Sequence, residues 1–208
     1  MAITEKRPSV KLTVGAQYIC FNTMTEDGAW TETFETDVVK LPTVTQVQVT
    51  DNADSYDDYA SGAAYDSDTD VPTKDIQETN LAFPDLLLAK MRGDAVDGGV
   101  VVEGKVGAAR PYFAYGFVVQ KKSGELDLRW YPKCKLIENT DSTATSGESH
   151  SSQTDDITIR AYRMDDEKGI DVRVFTGDTS TNKITEDAFF AAPILTAAAA
   201  KALQGNGN

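Results

Sequence analysis

The sequence is poor in the residues that most site chemistry requires. It has one histidine, His150, in the polar run SGESHSSQ, and two cysteines, Cys20 and Cys134, with no CxxC companion. A solvated loop histidine is the plain reading of His150, ahead of a catalytic base or a metal ligand. The two cysteines read as reduced thiols, Cys20 within a strand and Cys134 at a strand end. Basic residues are also scarce: 20 Lys and Arg against 33 Asp and Glu, for a net charge of −13. Nucleic-acid affinity comes mainly from cations that displace counterions, so this balance argues against a phosphate-gripping protein. It favours solubility and repulsion from anionic membranes.

Long apolar runs are missing too. No stretch of about 18 apolar residues appears, and MAITEKRPSVKLTVGAQ at the start lacks a signal-peptide core, so the expectation is a protein made and kept in a cytoplasm. There is no GxxxxGK[ST], and Gly98-Gly99 in DAVDGGVVVEG reads as a turn into a strand rather than a phosphate loop. Adjacent acids such as Asp57-Asp58, Asp155-Asp156 and Asp165-Asp166 would point to opposite faces of a strand, which makes poor general acid/base pairs. With no triad available either, the expectation is a protein that is not an enzyme and needs no cofactor.

What is present is period-two alternation. ELDLRWYP sets Leu126, Leu128 and Trp130 against Glu125, Asp127 and Arg129; DITIRAYR and GIDVRVF alternate in the same way. Each predicts a strand with one core face and one wet face. YFAYGFVV (112–119) is apolar on both faces and predicts a central, covered strand, with further strands at 16–23 and 43–50. Turn signals fall at Asp27-Gly28, Ser61-Gly62 and Ser123-Gly124. One helix is predicted in AFPDLLLAKMRG, with Pro84 in its first turn, Gly93 as its stop, and Phe83, Leu87 and Met91 facing the sheet. LTAAAAKALQ has helix propensity but almost no amphipathic face, so a frayed tail competes with a helix there. The expected fold is mainly β, an antiparallel barrel or sandwich with one flanking helix over 1–175. A partly flexible C-terminal arm follows over 176–208, with TEDAFF as a short edge element.

Two polar segments stand out. DNADSYDDYASGAAYDSDTD (51–70) holds seven aspartates and reads as a hairpin turning at Ser61-Gly62. Its Asp66-Ser67-Asp68-Thr69-Asp70 has the opening of a calcium loop, but Val71, Pro72 and Gln77 stand where that loop needs Gly, a backbone turn and a bidentate Glu. The Ser/Thr-rich 138–156 reads as a long loop, the kind that is commonly functional or mobile. The candidate assembly residues are Asp51, Asp54, Tyr56, Asp57, Asp58, Tyr59, Tyr65, Asp66, Asp68 and Asp70 in the first segment. In the second they are Thr140, Ser146, His150 and Ser151.

The order of these elements is similar to a known family. A strand ending in NADS leads to Tyr-Ala-Ser-Gly, then a helix closing in MRG, then DGGVVVEG, PYFAYGFVVQKKSGELDLRWYPKCKL and SSQTDDITIRAYR. Over roughly residues 10–163 this resembles the major tail protein of long-tailed, non-contractile bacteriophages of Gram-positive hosts. The resemblance implies a tail-tube fold shared with the type VI secretion tube. It also implies hexameric rings that stack into a hollow tube for the genome. The implied partners are further copies, a tape measure protein, a tail terminator and distal tail or baseplate proteins. DNA would pass through without specific binding, in a virion tail assembled in the host cytoplasm. A tube subunit of a phage-derived secretion or bacteriocin particle remains an alternative, as does a calcium-binding β-sandwich module.

Overall fold

Strands β1 (Lys11–Phe21), β2 (Val39–Leu41), β3 (Val44–Ala60) and β4 (Ala63–Asn80) come first, followed by helix α1 (Asp85–Arg92). Strands β5 (Ala95–Asp97), β6 (Val100–Val102), β7 (Phe113–Lys121), β8 (Leu126–Thr140), β9 (Asp155–Tyr162) and β10 (Val172–Phe175) follow. The short helices α2 (Glu186–Phe189) and α3 (Ala197–Ala202) close the order, with a 3-10 turn over Leu203–Gly205. This computed structural model describes residues 7–60, 63–104, 109–141, 143, 145, 154–165, 167–177 and 184–205, without the side chains of 56–60 and 63–68. The pairings are antiparallel. The main sheet runs β2-β1-β7-β8-β9-β4-β3, and β5 and β6 form a separate ribbon. One edge of β8 carries two strands in succession, β9 along Cys134–Thr140 and β10 along Asp127–Trp130. The chain is thus a mainly-β, sandwich-like fold.

The sheet is buried on both faces at its centre, as the apolar run 112–119 predicts. Phe113, Tyr115, Phe117 and Val119 of β7 enter one core with Ile19, Tyr131, Leu136, Ile157, Ile159 and Met91. Ala114 and Val118 face a second core with Tyr18, Leu128, Trp130 and Val172. Pro132 sits where β8 changes face. Phe113 pairs with Cys134 but Tyr115 pairs with Tyr131, so β8 carries one extra residue there. A bulge is where a strand tolerates a proline without losing its ladder. Cys134, expected at a strand end, therefore lies mid-strand and fully buried. Burial raises both thiols, Cys20 up to about 11.

The outward face expected of Asp127 and Arg129 is also buried. The sheet curls until its flanks face each other, which puts that face of β8 inside. Arg129 Nε donates to both Asp127 oxygens at 3.1 Å, Nη2 donates to Oδ2 at 2.5 Å, and the guanidinium lies 5.2 Å from the Phe117 ring. The pair neutralises itself, which a buried charge requires.

The curl is also visible in a buried polar cluster. Tyr115 Oη of β7 donates to Glu78 Oε2 of β4 at 2.6 Å, and Gln17 Nε2 of β1 donates to Asn80 Oδ1 at 2.6 Å. Strands β1 and β4 are far apart in the sheet order, so these contacts cross the core. Burial pushes the Glu78 carboxyl up to about 7, offset in part by hydrogen bonds to Tyr115 and Asn80.

Helix α1 forms as predicted, with Pro84 as its extended cap one residue before the first turn, and Gly93 left-handed at φ 78°. A Cβ on Gly93 would also lie 2.6 Å from the Ala109 carbonyl. The C-terminal region differs from expectation, and the flanking helix is not alone. TEDAFF forms α2 instead of an edge strand, and the alanine run forms α3 instead of a frayed tail. Each has a threonine cap: Thr185 accepts from Ala188 N and Thr196 from Ala199 N, both at 3.2 Å. Ile184, Phe189, Phe190, Ile194 and Ala200 then cover the second core. Phe190 stacks on Tyr18 at 3.8 Å, and Trp130 Nε1 donates to the Phe189 carbonyl at 3.0 Å. Gly116 makes room for this: a Cβ there would lie 2.7 Å from the Phe190 ring and 2.9 Å from Trp130.

Two outcomes follow from this packing. Phe190→Ala empties part of the second core and lowers stability by about 3–5 kcal/mol, read as a fall in urea midpoint. Glu78 has its folded pKa raised from 4.5, so its contribution is fully present below about pH 4.5 and is lost as pH rises to about 7. Stability of the wild type relative to Glu78→Gln therefore falls over that window by on the order of 3 kcal/mol, and parallel pH profiles would refute it.

Candidate assembly surfaces

The long hairpin of β3 and β4 has two parts. In the body, Val44–Asn52 faces Thr73–Asn80, and β4 is held on its other edge by β9 from Thr73↔Tyr162 to Asn80↔Asp155. Beyond Thr73 that support stops. Residues 54–60 and 63–70 have ladder partners only in each other among the described residues. A register step between Asn52 and Asp54 separates body from arm, and Pro72 falls in it. A proline has no N–H for the ladder, so the step is the place for it.

The register decides what the acidic stretch becomes. Asp54 stands opposite Asp70, Asp58 opposite Asp66, Asp57 opposite Ser67 and Tyr56 opposite Asp68; Tyr59 pairs with Ala64, and Tyr65 falls in a second step. Like charges directly opposed weaken an antiparallel pair, and a two-stranded ribbon is marginal in water by itself. The same continuous strand rules out wrapping a calcium ion, because Asp66 to Gln77 runs extended within β4. Among the described residues, no three His, Cys, Asp or Glu side chains cluster to hold a metal.

Cations gather at the arm's base. Arg163 Nη2 donates to Asp70 and, at 3.1 Å, to the Val71 carbonyl. Arg160 forms a two-point pair with Asp75, Nε to Oδ1 at 2.6 Å and Nη2 to Oδ2 at 2.9 Å. Lys74 bridges Asp51 at 3.4 Å and Asp171 at 3.1 Å. The Arg163 and Arg160 hydrogen bonds hold the Asp70 and Asp75 carboxyls below the usual range. The arm is thus neutralised where it leaves the body, while Asp54 is exposed and has no cation against it among the described residues. This clamp escaped the sequence reading, although Arg160 and Arg163 in TIRAYR were its available signal.

The structure brings the first candidate set together on the arm and its base. It does not unite that set with the second. Thr140 ends β8 opposite Asp156, at the end of the sheet where Asn80 meets Asp155, whereas the arm leaves at the Thr73 end. Ser146, His150 and Ser151 lie outside the described residues. The molecule therefore has two different ends. One carries the arm, the β7–β8 turn and the start of β1; the other carries α1, the β5–β6 ribbon and the β8–β9 connection. The chain matches no protein-family model and no curated protein.

Relieving one opposed charge pair tests the arm's electrostatics. Asp54→Thr slows hydrogen exchange of the arm amides by about 1.4-fold to fivefold, the equivalent of about 0.2–1 kcal/mol, with the core amides unchanged. Unaltered arm exchange would show that the register leaves the two carboxylates indifferent to each other.

Proposed function

We propose that this chain is a structural subunit that assembles with its own copies into rings stacked as a hollow tube. In that role it would resemble the major tail protein of long-tailed, non-contractile phages. The observation that carries the reading is the arm: a ribbon of 54–60 and 63–70 with no ladder partner in its own chain among the described residues. Such a ribbon gains its stability from a surface outside the subunit. Two dissimilar ends support the reading, because head-to-tail contacts between unlike surfaces propagate, while a rotation that closes gives a ring.

Charge is consistent with a conduit. A net charge of −13 repels the phosphates of DNA, so a genome would pass without being held. In this role the tube would sit in a virion tail, beside a tape measure protein and the proteins that terminate each end. No step requires catalysis or a cofactor.

The test is negative-stain electron microscopy over a concentration series, with light scattering on the same samples. A second variant has residues 54–70 replaced by an Asn-Gly turn. The full chain is expected to give rings or tubes. The shortened chain is expected to keep its melting profile and lose the long particles. A full chain that stays monomeric throughout, with crowding agent as well, overturns the proposal.

A further inference from the structure

The β5–β6 ribbon packs against α1 and exposes apolar surface. Val96, Val100 and Val102 are 45%, 65% and 56% exposed on two three-residue strands. The turn, Gly98-Gly99, has both residues at positive φ, which leaves the tip compact. Arg92 fixes the ribbon's base to the body: its Nη1 pairs with Glu103 at 2.5 Å and its Nε donates to Asn139 at 3.0 Å. The ribbon is therefore a held, projecting element, with Asp97 exposed at its tip.

A complementary surface lies at the opposite end. Strand β2 pairs with β1 only over Gln17–Ile19, so the edge of Lys11–Gly15 that faces β3 has no ladder partner among the described residues. Between that edge and β3 runs a groove of about 310 Å³ lined by Leu12, Val14, Val47, Val49 and Phe117. Val10 and Leu12 at its rim are 70% and 64% exposed. Lys11 and Lys122 flank it, and the Lys122 amide donates to the Val10 carbonyl at 2.8 Å. The ribbon adjoins the segment leading into β7, since Gly93 abuts Ala109, whereas the groove lies toward the end of β7. Phe117 and Val119, which line the groove, stand four and six residues along β7 from Phe113, about 13–20 Å of strand.

We infer that the β5–β6 ribbon of one copy docks into the groove between β1 and β3 of a second copy. The valines enter the groove, the open edge of β1 offers backbone pairing, and Asp97 meets Lys11 and Lys122. The contact joins unlike ends, so it repeats along an axis and stacks copies. This rests on the self-assembly reading and assigns it a second contact, separate from the arm.

The test uses two variants that each add one exposed cysteine, Val100→Cys and Leu12→Cys. The native Cys20 and Cys134 are buried, so the background is silent. Mixed under mild oxidation at assembling concentration, the two variants are expected to give a dimer band on a non-reducing gel. Neither alone should do so, and a chain carrying both should give a ladder. Asp97→Lys should reduce tube yield severalfold, and adding Lys122→Glu should restore it. Tubes that form without the mixed cross-link, or with each variant linking only to itself, overturn the docking and leave the self-assembly reading standing. Absence of both tubes and cross-links overturns the two together.

Discussion

The fold depends on burying the β1–β7–β8 sheet on both faces. A strand such as β7, with Phe113, Tyr115 and Phe117 on one side and Ala114, Gly116 and Val118 on the other, has no solvent-tolerant face. One side is covered by the curl of the sheet and by α1; the other is covered by the segment carrying Phe189 and Phe190. Each cover must fit closely. The bulge at Pro132 lets one strand turn Leu128 and Trp130 to one core and Cys134 and Leu136 to the other, although all four share one parity, and Gly116 lets the Phe190 ring approach the backbone. Interiors at crystal-like density tolerate little else, so small errors at these positions are costly.

Polar groups inside follow from the same curl. Glu78, Gln17, Asn80 and Tyr115 come from three strands and meet because the sheet's flanks face each other. Asp127 and Arg129 are enclosed for the same reason and satisfy each other. The hydrogen bonds of these groups favour one arrangement of the strands over its competitors, although Glu78 Oε1 and Asn80 Nδ2 are buried without a partner among the described residues. They also make the fold sensitive to the protonation of a single carboxyl.

The exterior is organised by contrast between ends. At one end an acidic ribbon leaves the body through a collar formed by Arg160, Arg163 and Lys74. The collar balances charge at the base and leaves the arm itself anionic. At the other end α1 and a small valine ribbon are pinned by Arg92. Ends that differ in this way suit the contacts between unlike surfaces that the proposed assembly needs.

The sequence by itself determined most of the strands, though not β2 or the 71–80 half of β4, and the one amphipathic helix, because these depend on local periodicity and on glycine and proline chemistry. Ile157, Ile159 and Ala161 face inward as their spacing requires, and Gly93 ends α1 where it should. It also marked 51–70 as a hairpin, and so located the first candidate surface, though Ser146, His150 and Ser151 stay outside the described residues. Tertiary structure decided the rest. Asp127 and Arg129 alternate like a wet face and are enclosed, and Cys134 sits inside a strand; the alanine run folds once Thr196 caps it and Ala200 meets the core. Each of these depends on which surface another part of the chain brings into contact, and a period of two or 3.6 carries no record of that surface.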